Sequence, residues 1–263
     1  MNVRIYGDGP YHAVAVHGGP GAAGSMKMVC EELSKTHNVI EALQTETTID
    51  AQLQELKEVL ESYVDEAVTL IGHSWGAMLV YMFASKHPEL VKKIILVSSG
   101  SLEDKYTSTI IQSREQKMHK LTDSEREELN QLQTKFITEN SDKLNKAFAR
   151  YGALMEKLDT YEPTSTITDD SLYNYAIFKS IWQDAVSLRK SGVMHAMGKQ
   201  IKCDVTVIHG TYDSHPADGI RASLENVIKS FNFILLEKCG HTPWLEKYAK
   251  AKFYEIVRNT LDQ

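Results

Sequence analysis

The chain has 263 residues, of which 42% are hydrophobic and 24% are charged, a balance typical of a globular protein with a sizeable core. This composition excludes a disordered chain and a coiled-coil rod. The 29 basic side chains are outnumbered by 35 acidic ones, and the net charge is -6, so the chain lacks the basic surface that nucleic-acid binding requires. We therefore expect no nucleic-acid partner.

The cysteines and the apolar runs indicate the cellular compartment of the protein. Cys30, Cys203 and Cys239 lack the spacing of a disulfide framework or a zinc site, so we expect buried thiols in a reducing compartment and no metal. No uninterrupted apolar run reaches the ~20 residues of a membrane span, and the N-terminal segment has no signal-peptide core. The sequence thus predicts a cytoplasmic protein without membrane contact, and it leaves the oligomeric state open.

Short apolar, β-branched runs recur along the chain and are bounded by turn residues, as in parallel strands buried on both faces. They are residues 13–16, 67–71, 94–97, 205–208 and 233–236, with weaker candidates at 3–6 and 38–43. Helical patterns alternate with them, at 51–63 and 244–260 among others. This alternation predicts an α/β fold with a mostly parallel sheet flanked by helices.

One long segment, residues 101–198, has no good strand run but several helical patterns. We expect an all-helical cap inserted into a core formed by residues 1–100 and 199–263. Thr122 and Glu125 have capping-box spacing, and two further helical patterns open at Ser141-Asp142 and at Asp169-Asp170. Aromatic residues at helical spacing usually pack internally. Trp182, in the last of these patterns, is nevertheless a candidate for substrate contact.

The first motif that suggests a catalytic or binding role, His17 to Gly21 (HGGPG), directly follows the run at 13–16. Residues 19–24 also match the G-x-G-x-x-G pattern of nicotinamide or flavin sites, with Glu41 near the position of a ribose-binding acid. Pro20 argues against that alternative, because it has no N–H to donate to a pyrophosphate. The loop instead suits stabilisation of an oxyanion by the Gly19 amide, with His17 as a candidate substrate contact.

The strongest motif, Gly72 to Gly76 (GHSWG), begins where the run at 67–71 ends and precedes a helical pattern. That context is typical of the G-x-S-x-G nucleophile elbow. Its glycines are needed because side chains there would collide with neighbouring backbone. We predict Ser74 as the nucleophile, the Trp75 amide as the second oxyanion donor, and His73 as a candidate substrate contact.

A serine nucleophile needs an imidazole to accept its proton and a carboxylate to orient that imidazole. Asp213 follows the run at 205–208 in a loop and is the predicted acid, with Asp218 as its rival. His241 lies in a tight loop after the last strand run and is the predicted base. His215, two residues beyond the acid, is a candidate substrate contact.

The sequence resembles the α/β-hydrolase superfamily, in which the triad follows the chain order Ser, Asp, His. Its glycine loop and elbow look similar to those of the proline iminopeptidase group, in which the second loop glycine and the residue after the serine form the oxyanion hole. The resemblance thus implies these roles for Gly19 and Trp75, and a helical cap from residue 101 onward. That group recognises a substrate amine through acidic cap residues, for which Glu156 and Glu162 are candidates here. Its N-terminal region is usually longer, which leaves open whether the usual first strand is present.

These observations predict a serine hydrolase without metal or cofactor, in which an acyl-enzyme on Ser74 is hydrolysed by water that His241 activates. The expected substrate is a small ester, amide or short peptide, because the cap would hinder a folded protein. A proline iminopeptidase-like aminopeptidase is a narrower alternative. Acyl transfer or lyase chemistry on the same triad and a slow-turnover ligand receptor are others.

Overall fold

The computed structural model describes residues 2–139, 144–166, 172–229 and 231–263. The helix starts predicted at Ser141-Asp142 and Asp169-Asp170 lie outside these ranges. Within the described residues, no helix is both long enough and apolar enough to cross a membrane.

The centre of the fold is a seven-stranded sheet in the order β1-β3-β2-β4-β5-β6-β7. The strands are β1 (Val3–Tyr6), β2 (Ala13–Val16), β3 (Val39–Ala42), β4 (Val68–His73), β5 (Val91–Val97), β6 (Asp204–Gly210) and β7 (Asn232–Leu236). Among the strands of the described ranges, only the pairing of β1 with β3 is antiparallel; the other pairs are parallel. The predicted mostly parallel sheet is confirmed, including the two weaker strands at 3–6 and 38–43.

Helices cover both faces of the sheet. They are α1 (Lys27–Leu33), α2 (Ile49–Tyr63), α3 (Trp75–Lys86), α9 (Ala217–Glu225) and α10 (Lys250–Leu261). The buried residues of α2, α3 and α9 form one apolar core, and those of α1 and α10 form the other. Strand β2 shows the division: Val14 and Val16 belong to the first core and Ala13 and Ala15 to the second, because successive side chains of a strand point to opposite faces.

All regular elements described between β5 and β6 are helical. They are α4 (Thr107–Lys117), α5 (Asp123–Thr138), α6 (Asn145–Asp159), α7 (Tyr175–Lys190) and α8 (Val193–Met197), with short 3-10 turns beside them. The predicted capping box is present at the start of α5, where Thr122 and Glu125 bond reciprocally. Isolated bridges join Tyr173 to Ala22 and Pro163 to Glu246, so this segment contacts the core on two sides.

Two local predictions differ from the structure. Helix α10 begins at Lys250 rather than at 244, because Trp244 belongs to a separate 3-10 turn and is fully buried. Cys203 is only partly buried, whereas Cys30 and Cys239 are buried as predicted. Cys203 lies in the connection leading into β6, where the chain approaches the surface.

Candidate active site

Ser74 lies at the sharp turn between β4 and α3, with φ 54° and ψ -112°, in a backbone region that favours glycine. The glycines on either side have little space. A Cβ at Gly72 would lie 2.3 Å from the Gly76 carbonyl oxygen, and a Cβ at Gly76 would lie 2.2 Å from the Val16 carbonyl oxygen. The turn therefore tolerates only glycine at both positions, which gives this segment the geometry of a nucleophile elbow.

Three loops bring Ser74, Asp213 and His241 together at the carboxyl ends of the strands. Asp213 follows β6, and His241 follows β7. The Nε2 atom of His241 is 2.9 Å from the Ser74 Oγ, and its Nδ1 atom is 2.7 Å from the Asp213 Oδ2. Asp218, the rival acid, lies instead in the first turn of α9. One imidazole thus links the hydroxyl to the carboxylate.

The surroundings of these groups set their charges. Burial would raise the pKa of Asp213, but the nearby imidazoles, His241 foremost, outweigh it and hold that pKa well below its usual value. Burial would likewise lower the pKa of His241, but the Asp213 carboxylate outweighs it and raises that pKa above 6.5. The pair is an ionised acid beside a basic imidazole, which suits proton transfer from Ser74.

A second imidazole bonds to the other oxygen of the acid. The Oδ1 atom of Asp213 lies 2.9 Å from the backbone nitrogen of His215 and 2.9 Å from its Nδ1. Because an ionised carboxylate only accepts hydrogen bonds, this Nδ1 carries the proton. The His209 Nε2 donates to the His215 carbonyl oxygen at 2.9 Å. His215, predicted as a substrate contact, therefore also holds Asp213 in place.

A cavity of about 600 Å³ opens at Ser74 and extends beneath the helices that lie between β5 and β6. Gly19, Trp75 and Ser74 line its floor together with His241. Apolar and aromatic side chains from α4, α6 and α7 form most of its roof: Ile110, Ile111, Phe148, Tyr151, Met155, Phe178, Trp182 and Val186. Such a mixture of apolar walls and a few polar groups is typical of a small-molecule site.

The four residues predicted to contact substrate do not all lie in the cavity wall. Trp182, His73 and His215 line the cavity. His17 does not line the cavity, because it is fully buried. Its Nδ1 bonds to the Gly18 carbonyl oxygen at 3.0 Å, and its Nε2 accepts from the backbone amide of Gln44 at 3.0 Å. Both ring nitrogens are occupied and burial lowers the pKa of His17 to about 4, so we assign this residue to the structure of the loop.

His73 lies beside His241, the predicted base. Its Nε2 donates to the His241 carbonyl oxygen at 2.9 Å, and its ring centroid is 5.0 Å from that of His241. Burial lowers the pKa of His73 to about 3, so the ring is neutral at pH 7. It therefore fixes the loop that carries His241 without adding a charge.

Glu41, the acid of the dinucleotide alternative, is fully buried and has partners of its own. Its carboxylate accepts from the Met26 amide at 3.1 Å and from the Tyr6 hydroxyl at 3.3 Å. These bonds leave it in a structural role behind the loop. Of the two acidic candidates for amine recognition, Glu156 lines the cavity, whereas Glu162 pairs with Lys247 at an exposed position.

One ion pair in the cavity wall has no recognisable sequence pattern. The guanidinium of Arg114 on α4 bonds to the carboxylate of Asp159 at the end of α6, with the shortest contact at 2.6 Å. The Ser214 hydroxyl also donates to Asp159, and the Asp159 carbonyl oxygen accepts from the His241 amide at 2.8 Å. These residues come from separate elements without a local motif.

Asp213, His215 and His241 also come close enough to hold a metal ion, with one potential ligand atom from each within 4.8 Å of the others. The Asp213 oxygens, however, each bond to one of the two imidazoles. We therefore assign this cluster to hydrogen bonding around the acid.

The sequence matches the family model of the alpha/beta hydrolase fold over residues 20–248. It is 26% identical over 102 residues to a cis-3-alkyl-4-alkyloxetan-2-one decarboxylase of Shewanella oneidensis, a match covering 34% of this chain and 32% of that protein. It is 34% identical over 50 residues to epoxide hydrolase 4 of Homo sapiens, covering 19% and 14% respectively. The matches thus span less than a third of the length of either relative.

Solved structures share the fold along nearly the whole chain. VinJ superposes with a TM-score of 0.70 at 18% identity, covering 99% of this chain and 94% of VinJ. The proline iminopeptidase of Mycobacterium smegmatis superposes with a TM-score of 0.64 at 17% identity, covering 99% and 94%. Est816, an N-acyl homoserine lactone degrading enzyme, gives 0.64 at 16% identity, covering 98% and 95%. At sequence identities this low, the similarity shows a shared fold and nothing about the reaction.

Proposed function

The chain belongs to the α/β-hydrolase fold family, and on that basis we propose that it is a serine hydrolase that cleaves a small ester, amide or short peptide through an acyl-enzyme on Ser74. The predicted resemblance to this superfamily is confirmed. The observation that carries the proposal is the chain of contacts from Ser74 Oγ to His241 Nε2 at 2.9 Å and from His241 Nδ1 to Asp213 Oδ2 at 2.7 Å. Fold alone does not define the reaction, so the proposal rests on this site.

In the proposed first half-reaction, the Ser74 hydroxyl attacks the substrate carbonyl while His241 takes its proton. Asp213 stays ionised and stabilises the imidazolium that forms. The backbone amides of Gly19 and Trp75, which both line the cavity floor, donate to the oxyanion of the tetrahedral intermediate. The imidazolium then gives its proton to the leaving group, and the acyl group remains on Ser74.

In the second half-reaction, His241 takes a proton from water, the resulting hydroxide attacks the acyl carbonyl, and the imidazolium returns the proton to Ser74 Oγ. These steps need neither a metal nor a cofactor. The size of the substrate follows from the cavity, whose volume of about 600 Å³ lies beneath helices. A small acyl compound or short peptide fits such a space, and the surface of a folded protein does not reach into it.

Ser74→Ala tests the proposal, with Ser25→Ala as the matched control, since Ser25 is another serine that lines the cavity. We expect Ser74→Ala to lower 4-nitrophenyl butyrate hydrolysis at least about 1000-fold and to abolish labelling by a fluorophosphonate. Ser25→Ala should retain both. Full turnover of every active substrate by Ser74→Ala would refute the assignment.

The decarboxylase relative favours lyase chemistry as the second candidate function. Product analysis in water distinguishes the two: a hydrolase releases a free acid together with an alcohol or amine, whereas a lyase releases fragments without adding water. The narrower iminopeptidase alternative is tested by aminoacyl and prolyl amides, because it requires cleavage that depends on a free N-terminal amine.

A further inference from the structure

A buried cation in the cavity wall has neither an ion-pair partner nor a side-chain hydrogen bond among the described residues. Arg189 lies in the last turn of α7, lines the cavity and is 6% exposed. Its Nε atom is buried without a hydrogen-bond partner in the described part of the chain. No carboxylate oxygen of the described ranges lies within 4.0 Å of a nitrogen of its guanidinium.

Arg114, which also lines the cavity, has the ion-pair partner that Arg189 lacks. Arg114 bonds to Asp159 through both Nε and Nη2. Arg189 has only a more distant acidic neighbour, Asp104: burial lowers the pKa of Arg189, and the charge of Asp104 partly opposes that shift. Burying a guanidinium is costly unless an anion and hydrogen bonds replace its water shell. The missing partner of Arg189 is therefore expected from the cavity side.

The neighbours of Arg189 fix the position of its charge. The guanidinium carbon lies 4.9 Å from the ring centroid of Trp182, one of the cavity aromatics, and this stacking orients the side chain back along α7. Lys190, the next residue, also lines the cavity and adds a second positive charge. The rings of Phe178 and Trp182 stack with centroids 6.1 Å apart. Both rings line the cavity between the N-terminal end of α7 and Arg189.

That N-terminal end of α7 lies against the glycine loop, because the Asn174 amide donates to the Gly21 carbonyl oxygen at 2.7 Å. Helix α7 thus begins beside the proposed oxyanion site, continues with apolar rings, and carries its unpaired guanidinium farther along. A ligand that follows this path has a reactive carbonyl at one end, a carbon chain in the middle and an anion at the other end.

We propose that Arg189 binds the carboxylate of an anionic substrate, so that the preferred substrates are monoesters or monoamides of dicarboxylic acids, or related acyl compounds that bear a carboxylate. The acyl chemistry in this assignment rests on the proposed function of Ser74. The anion site itself rests on the geometry of Arg189, because guanidinium and carboxylate match in shape and form charge-assisted hydrogen bonds.

The kinetic test compares mono-4-nitrophenyl esters of glutaric, adipic, pimelic and suberic acid with 4-nitrophenyl esters of monocarboxylic acids of equal length. The variants are Arg189→Gln, Arg189→Lys and the control Arg150→Gln, since Arg150 pairs with exposed Glu128 outside the cavity. We expect one chain length to give the highest kcat/KM. Arg189→Gln should lower that value roughly 10- to 100-fold while changing the neutral ester less than about twofold.

Under the same proposal, Arg189→Lys should fall between the wild type and Arg189→Gln, and Arg150→Gln should resemble the wild type. Equal losses on charged and neutral esters in Arg189→Gln would overturn the assignment, as would the absence of any preference for the charged series in the wild type. Retained hydrolysis of the neutral ester shows that a variant is folded.

A binding test separates this inference from the proposed function. Calorimetry of Ser74→Ala with adipate, and of Ser74→Ala combined with Arg189→Gln, measures the anion site without any turnover. We expect adipate to bind the first variant and to bind the double variant at least about tenfold more weakly. Equal binding to both variants would overturn the Arg189 site even if Ser74 is the nucleophile, and inorganic phosphate binding as tightly as adipate would overturn the choice of a carboxylate.

Discussion

Asp213 accepts hydrogen bonds on both carboxylate oxygens, and its two imidazole partners have different consequences. His241 bonds to Oδ2 and reaches Ser74, whereas His215 bonds to Oδ1 and stacks on His241 with ring centroids 4.8 Å apart. A carboxylate fixed through both oxygens cannot rotate away from the base. His215 therefore acts as a positioning residue for Asp213 as well as a part of the cavity wall.

The first prediction concerns His215→Ala. In the proposed mechanism only neutral His241 accepts the proton of Ser74, and Asp213 raises the pKa of His241. Wild-type kcat/KM should therefore rise with pH to a plateau with its midpoint above 6.5. In His215→Ala, Asp213 keeps its charge and the backbone donor at Oδ1 but loses the imidazole donor there. We expect kcat to fall about tenfold, KM to change less than about threefold, and the midpoint to move to higher pH.

The measurement is the pH dependence of steady-state hydrolysis by wild type and variant, with exposed His119→Ala as the control. A residue that only contacts substrate would give the opposite pattern, in which KM rises while kcat and the pH midpoint stay unchanged. That pattern would contradict the positioning role of His215.

At the scale of elements, the glycine loop and α7 meet with no space between them. Gly21 has φ +80°, and a Cβ there would lie 2.2 Å from the Asn174 carbonyl oxygen and 3.1 Å from the Phe178 nitrogen. The loop also supplies the amide of Gly19. Packing of α7 and orientation of the proposed oxyanion donor therefore depend on the same close approach of two backbones.

The second prediction separates this close approach from backbone strain by comparing Gly21→Ala with Gly192→Ala. Both glycines have positive φ, but a Cβ at Gly192, which has φ +74°, meets nothing within 4 Å. Gly192→Ala should lower the free energy of unfolding by about 1–2 kcal/mol through strain alone. Gly21→Ala should cost more and also lower kcat/KM at least about tenfold, because the loop must move. Chemical denaturation and ester hydrolysis measure the two effects, and equal stability losses with unchanged kcat/KM would exclude the coupling.

Local sequence patterns were enough to predict the sheet and the residues at its edge. The runs before Ser74 and Asp213 are strands with every position from Thr69 to His73 and from Val205 to Gly210 buried, so the residues that follow them had to meet at one edge. Arg114, Asp159 and Arg189 lie in helices, where nothing in their neighbourhoods marks a site. Their meeting depends on how separate helices pack, which periodicity does not specify.

His17 shows a second limit of sequence reasoning. A histidine beside a glycine loop has the right chemistry for substrate contact, yet its ring turns inward and bonds to the backbone amide of Gln44, two residues beyond the end of β3. The deciding factor is a long-range backbone donor that needed a partner. Such a requirement becomes visible only when the strands are assembled.

At the scale of the whole molecule, acid stability depends on histidines that the fold keeps neutral. His17 and His73 are buried on either side of the proposed site, one holding the glycine loop to β3 and the other holding the loop of His241. Burial lowers the pKa of His17 to about 4 and that of His73 to about 3. Between those values and 6.5, the unfolded chain binds protons that the folded chain does not.

The third prediction follows from this difference. Because the unfolded state binds more protons, the free energy of unfolding should decrease as pH falls below about 6.5. His17 and His73 should each contribute about 1.4 kcal/mol per pH unit, and His215, whose pKa burial also lowers, adds to the loss. Because the pKa of Asp213 is depressed, its contribution to the free energy of unfolding is lost only below pH 3.8. The raised pKa of His241 has its effect above pH 6.5, where the free energy of unfolding falls as pH rises. Urea denaturation at pH 7, 6, 5 and 4.5 measures the slope.

His17→Gln is the informative variant for this slope, because an amide oxygen can still accept from the Gln44 amide but does not titrate. It should reduce the slope between pH 6.5 and 4.5 by about 1.4 kcal/mol per unit, whatever its effect on stability at pH 7. Exposed His119→Gln should keep the wild-type slope. An unchanged slope in His17→Gln would mean that this histidine is protonated in the folded protein, which would require its Nε2 to release the Gln44 amide and the loop to take another conformation.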